Sequence, residues 1–351
     1  MTNYPVFDGH NDTLLNLHLP KPGKERSFFK ESEFGHIDLP RAQKGSFGGG
    51  FFAIFTPNEN YHVEPENYIT ADGYDMPLPP PIDQAQALQF TNILAAKLFK
   101  LEKESDGNFK VVRTAEELSY CLKNNITAAI FHIEGAEAID TDFNALHVLY
   151  KAGLRSLGIV WSRPNAFGEG VPFRYPSSPD IGGGLTDAGK ELVRECNQLG
   201  IMLDTTHLNE KGFWDVAKIT NAPIVATHSN VHKLSPISRN LTDKQLEAIA
   251  ESKGVVGINY AINMLREDCG FDTDISLDEI VRHVACIAEK FGVDHVALGS
   301  DFDGTTVPDS LHDVTGLPKL VERLEAHGFN DEELRKITHG NWVRVLGDTW
   351  K

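Results

Sequence analysis

The chain has 351 residues, with 33 Lys and Arg against 50 Asp and Glu, a formal net charge of −17. That length fits one large α/β barrel or two ordinary domains, and the negative excess repels phosphate backbones and anionic lipid, which argues against nucleic-acid and membrane-surface partners. At 41% hydrophobic and 24% charged, the composition is that of a folded protein. No run of 18 apolar residues occurs, and Cys121, Cys196, Cys269 and Cys286 form no CxxC pair, so a membrane span, a disulfide scaffold and a thiolate zinc site are set aside. The opening MTNYPVFDGHNDTLL shows no targeting pattern, and with reduced-looking thiols this predicts a cytoplasmic protein. The 14 histidines stand out, because several adjoin carboxylates.

In chain order, strand-like apolar runs are expected at Pro5–Asp8, Gly50–Phe55, Thr127–His132, Arg155–Val160, Ile201–Asp204, Pro223–Thr227, Val255–Asn259 and Val296–Gly299. Most lack strict alternation, as strands covered on both faces should. Helical patterns with start signals lie between them: Asp83 before QAQALQFTNILAAKLFKLEKE, Thr186 and Asp187 before AGKELVRECNQLG, Thr242 before DKQLEAIAESKG, and Ser276 before LDEIVRHVACIAEKFG. Two stretches interrupt this, a Pro-rich loop over Thr56–Pro81 and a Gly/Pro/Ser-rich loop over Asn165–Gly184; in a barrel both lie at the catalytic face. A final helix, EELRKITHGNWVRVLGD, would close the chain over the barrel. The alternation predicts an α/β chain folded as a (β/α)8 TIM barrel in one domain, 1–351, with a doubly wound open sheet as the competing architecture.

The chemistry-bearing residues fall at the ends of these strands. DGHND places His10 and Asp12 two apart, on one side of an extended backbone, as a divalent metal site needs, although such residues also build turns. HIEGAEAID sets Glu134 against the turn glycine Gly135, with His132 and Glu137 as competitors. LDTTHLN and ATHSN end two successive strands in the same Thr-His pair, at His207 and His228, where a lone histidine would usually be structural. LGSDFDG offers Asp301 or Asp303 as a ligand or general base; the calcium-loop reading of its DxDG fails for want of a Glu at the end of a 12-residue loop, and the kinase reading for want of a Gly-rich loop. SRN offers Arg239 as a carboxylate clamp, and SFGGGFF is a strand entry with close backbone approach rather than a phosphate cradle. Together His10, Asp12, Glu134, His207, His228 and Asp301 suit two divalent ions sharing one carboxylate and a bridging hydroxide, which is hydrolase chemistry.

Taken as an ordered set, DGHND, IEGAEAID, DTTH, THSN, SRN, GSDFDG and HGNWVRVL resemble the renal (membrane) dipeptidase family of zinc peptidases, most closely its shorter bacterial members. The resemblance implies a barrel of the metal-dependent amidohydrolase type, a homodimer, and a binuclear zinc (Zn2+) site. Within it His10 and Asp12 bind one ion, His207 and His228 the other, Glu134 bridges, Asp301 handles the proton and Arg239 holds the substrate carboxylate. It further implies metalloprotease action on free dipeptides, including L-Xaa-D-Xaa, with a zinc-bridging hydroxide attacking the carbonyl. Animal members carry a histidine after the fourth strand; here the matching position is Trp161, whose N–H donates but never titrates, with Asn165 as a nearby donor. Competing functions are an amidohydrolase acting on N-acyl amino acids or lactams, and a non-catalytic zinc-binding protein.

Overall fold

The computed structural model describes residues 4–58 and 65–351. Eight parallel strands run in sequence order around the molecule: β1 (Val6–Asn11), β2 (Phe47–Phe55), β3 (Thr127–Glu134), β4 (Leu154–Gly158), β5 (Met202–Asp204), β6 (Val225–Ala226), β7 (Val255–Ile258) and β8 (Val296–Leu298). Each pairs with the next. The circle is nearly closed between β8 and β1, where Asp301 N–H donates to His10 O (2.9 Å) and Asp12 N–H to Phe302 O (2.8 Å). This is the expected (β/α)8 barrel, and the open-sheet alternative falls.

All eight expected strands form, with shifted ends. β1 reaches Asn11 and β3 reaches Glu134, so His10 and Glu134 lie within their strands rather than just beyond them. A short strand at Phe109–Val111, unsignalled in the sequence, pairs parallel with the start of β3. The expected helices form at Gln84–Glu104, Asp187–Leu199, Asp243–Glu251 and Asp278–Phe291, and Thr186 caps the second through its side chain. In the glycine run at the start of β2, Gly49 sits at φ +131°, and a Cβ there would lie 1.9 Å from Ala128 O, so β2 and β3 approach as only glycine allows.

The last helical stretch, Asp331–Arg335 and Asn341–Thr349 joined by a π turn, covers the end of the barrel opposite the histidines. Trp342 is fully buried, donates from Nε1 to Leu298 O (3.1 Å) and packs edge-on against Phe51 at 5.1 Å. Phe7, Ile130, Met202, Val225 and Ala297 complete this apolar floor. At the other end, the two long loops meet. Gly73–Asp75 in the loop after β2 pairs antiparallel with Ile69–Thr70 and with Arg174–Tyr175 in the loop after β4. Residues 59–64 of the first loop lie outside the described residues.

Candidate active site

Period-two alternation decides which side chains enter the barrel. Along β3, His132 and Glu134 face inward, His132 one layer deeper, where its Nδ1 meets Ser156 Oγ (2.9 Å) and its ring stands edge-on to His10. Glu137, the other competitor, turns away: its carboxylate accepts from Arg163 Nε (2.7 Å) in a buried ion pair. That leaves Glu134 at the mouth, and its two oxygens face different partners. Oε1 lies 3.1 Å from His207 Nε2 and 3.4 Å from His228 Nε2, while Oε2 lies 3.7 Å from His10 Nε2, which is itself 3.4 Å from Asp12 Oδ2. His10, Asp12 and Glu134 form one group with metal-ligand spacing, Glu134, His207 and His228 a second, and His10, His228 and Asp301 a third.

The donor set fits a cation. Thr227 Oγ1 gives its proton to Asp204 Oδ2 (2.6 Å) and lies 2.9 Å from His228 Nδ1, so Nδ1 carries the His228 proton and Nε2 is bare. Ser162 Oγ sits 2.8 Å from His207 Nδ1, and Arg239 Nη2, always a donor, lies 3.2 Å from His207 Nε2. Two bare ring nitrogens 3.3 Å apart therefore converge with a carboxylate oxygen. On the other flank both ring nitrogens of His10 are buried with no hydrogen-bond partner among the described residues, Nε2 facing the Asp12 and Glu134 carboxylates across 3.4 and 3.7 Å, a spacing that leaves room for a cation between them.

The electrostatics are those of an acid-rich pocket that attracts positive charge, met here by a proton on His10. Burial alone would lower His10, but the Glu134 and Asp12 carboxylates outweigh it and hold the imidazole up at about 10. Burial pushes Glu134 up to about 8 and Asp301 up to about 6. His207 and His228 are driven well below the usual histidine range by burial, then by Arg239 and His10, and stay neutral, the ligand form. Burial brings Arg239 down to about 10, so it remains charged at neutral pH.

The two aspartates of GSDFDG part company. Asp301 faces the cluster and accepts from Asn259 Nδ2 at Oδ2 (2.9 Å). Asp303 turns its buried side chain away, accepting from Arg26 Nη2 (2.8 Å), Thr13 Oγ1 (2.9 Å) and His36 N–H (2.6 Å). Between them and Asp12, Gly304 is required: a Cβ there would lie 2.1 Å from Asp12 Oδ2 and 2.5 Å from Asp301 Oδ1. Arg239, buried beside His207, has no partner for its Nε–H. Trp161 lines the cavity with its ring 5.8 Å from that of His207. Asn165 does not reach the cavity: its Nδ2 donates to Ile159 O (2.8 Å) and its Oδ1 accepts from Phe167 and Gly168 N–H, so it braces its own loop. Asn259, Ser162 and Arg26 are participants that sequence reasoning missed, and Asp303, offered there as an alternative to Asp301, serves instead as the partner of Arg26. Asn259 ends an apolar run just as the histidines do and was legible by that signal; Arg26 lies in a loop with no pattern at all.

A (β/α)8 barrel whose strand ends gather histidines and carboxylates into ligand spacing defines a metal-dependent hydrolase of the amidohydrolase type. The family model described as membrane dipeptidase (peptidase family M19) matches residues 1–350, and the chain belongs to that family, the metallo-dipeptidases, hydrolases of peptide bonds. It is similar to the metallo peptidase of Rhodobacter sphaeroides, solved with a phosphinate mimic of the dipeptide L-Ala-D-Ala, at 49% identity and a TM-score of 0.96, covering 99% of this chain and 100% of that one. A second solved metallo peptidase, the dipeptidase AC, is 49% identical with a TM-score of 0.95 over 99% of both chains. A Klebsiella pneumoniae protein described as an uncharacterized protein in the pqqA 5′ region is 46% identical over 256 residues, 73% of this chain and 94% of that protein.

Proposed function

We propose that this dipeptidase works with two zinc ions, His10 and Asp12 holding one, His207 and His228 the other, and Glu134 both. The observation that carries this is the division of Glu134, one oxygen toward each histidine group. Divalent cations there would polarise the scissile carbonyl and acidify a water. Asp301, anchored through Oδ2 by Asn259, takes up a proton at Oδ1 and returns it to the leaving amine. Arg239 binds the C-terminal carboxylate through its guanidinium, whose Nε–H is unpaired. The substrates are free dipeptides, L-Xaa-D-Xaa among them, a reading supported by the phosphinate complex of the Rhodobacter sphaeroides relative. The whole chain, 1–351, acts as one catalytic unit, and its free thiols suit the cytoplasm. The homodimer implied by the family is checked by sedimentation.

Metal counting by plasma mass spectrometry on chelator-free protein tests the centre: about two zinc per chain are expected, and no more than trace metal overturns it. Rates for L-Ala-D-Ala beside N-acetyl-alanine separate the dipeptidase from an N-acyl amidohydrolase.

A further inference from the structure

Beyond the dipeptide class, the cavity is asymmetric in a way that selects side chains. It holds about 580 Å³, a small-molecule volume. Around Asp301 it is lined by Gly304, Thr305 and Thr306 together with the aliphatic Ile262, whose N–H donates to Thr306 O, and among the described residues it carries no aromatic wall there. On the flank of His207 it is walled by aromatic rings. Trp161 stands 4.9 Å from Phe55 and 5.9 Å from Phe173, and both Trp161 and Phe173 lie against the His207 ring, at 5.8 and 6.3 Å. The loop after β2 adds Tyr74 and Met76, held to the loop after β4 by the small sheet that pairs Tyr74 with Tyr175.

The wall is braced from behind. The Arg163 guanidinium lies 4.9 Å over Phe55 and 5.5 Å over Trp161, and its charge is consumed by Glu137 at 2.7 Å. It donates as well to Thr56 O and Asn58 Oδ1, both at 2.8 Å, so it ties the foot of one loop to the other. The wall therefore presents no charge among the described residues. Among the described residues, the charged side chains facing the cavity are the acids Asp12, Glu134 and Asp301 and the base Arg239, since the Asp303 side chain is buried in its pair with Arg26.

We infer that Trp161, with Phe55, Phe173 and Met76, forms a specificity wall for the side chain of the C-terminal residue, selecting apolar and aromatic residues over charged ones. This rests on the dipeptidase reading and on Arg239 as the carboxylate clamp. Arg239 Nη2 is 3.2 Å from His207 Nε2, on the walled flank, and the side chain branches from the carbon that bears the carboxylate, so it falls against these rings. A charged side chain there would lose water and gain no partner, while an anionic one would also face the three acids. The braced rings are an apolar surface already in place, which keeps the ordering cost of binding low.

The test is kcat/KM of the zinc-loaded enzyme for L-Ala-D-Ala, L-Ala-D-Phe, L-Ala-D-Asp and L-Ala-D-Lys. The phenylalanine substrate should exceed the aspartate and lysine substrates by about tenfold or more. Trp161→Ala should lower the ratio of kcat/KM for L-Ala-D-Phe over L-Ala-D-Ala about tenfold, mainly through KM, because truncation removes binding surface that the large side chain uses most. Met76→Ala, on the other loop, should shift the same ratio in the same direction and serves if the tryptophan variant fails to fold. Equal rates across the four substrates, or an unchanged Phe/Ala ratio in both variants, would overturn the wall while leaving the dipeptidase reading intact. Failure of the zinc-loaded enzyme to hydrolyse any of the four would overturn both.

Discussion

The two halves of the active site are built on opposite electrostatic plans. On the His10 side, buried carboxylates draw positive charge so strongly that an enclosed imidazole is held up at about 10. On the His207–His228 side, burial keeps two imidazoles neutral, and neutral hydroxyls, Ser162 and Thr227, orient them. The scaffolds differ in kind as well. The acidic half leans on the buried Arg26–Asp303 ion pair, which joins the loop after β1 to the GSDFDG loop and, through Thr13, to the residue beside Asp12. The imidazole half is held by short polar side chains in the turns that follow β4 and β6. The two groups that meet at Glu134 are therefore not equivalent: one is organised by charge, the other by hydrogen-bonded tautomers.

Joining the halves is the task of Glu134, so its loss should be the most damaging. Glu134→Gln should cut kcat/KM by about a thousandfold or more and lower the zinc content. Asp301→Asn separates proton transfer from metal holding: turnover should fall by about 10² to 10⁴ with zinc retained, and unchanged turnover would remove Asp301 from its role. Arg26→Met strikes only the acidic half. Leaving Asp303 buried and unpaired should cost about 3–5 kcal/mol in denaturant unfolding, and a variant as stable as the parent would refute the charge-organised scaffold. Ser162→Ala strikes only the imidazole half and should weaken zinc binding about 10- to 100-fold in chelator competition with little change in stability.

The smallest effect is expected away from both halves, at His283. Its Nδ1 accepts from Val231 N–H and its Nε2 meets Leu265 O, and burial brings it from 6.5 down to about 4. Between those values the unfolded chain binds the proton and the folded chain does not, so this residue's contribution is lost as pH falls through that window. Replacing it with Gln should make the fall in stability between pH 6.5 and 4 shallower, and an identical slope in the two proteins would contradict this.

Much of the barrel was legible before any coordinates, because apolar runs of strand length and capped helical patterns are local signals. The misplaced ends have a common cause. β1 and β3 continue through polar residues, His10 and Glu134, that look like loop in isolation and are extended because neighbouring strands supply their hydrogen bonds. Asn165 was misjudged for the opposite reason: a donor close in sequence to Trp161 is spent on its own backbone. Asp301 and Asp303 could not be separated from sequence, since each could serve; left-handed backbone at both, with Gly304 between the carboxylates, sends one inward and the other to Arg26.

By itself, the sequence determined the alternating α/β order and the polar residues at the strand ends, among them the three histidines and three carboxylates proposed for the metal centre. Those follow from spacing along the chain, which fixes periodicity and strand tips. Only the tertiary structure decided which oxygen of Glu134 faces which histidine, which aspartate enters the site, and that the loops after β2 and β4 meet to wall one flank with aromatic rings. These are contacts between residues tens to hundreds of positions apart, made when eight strands close around one axis and burial forces every polar group to find a partner.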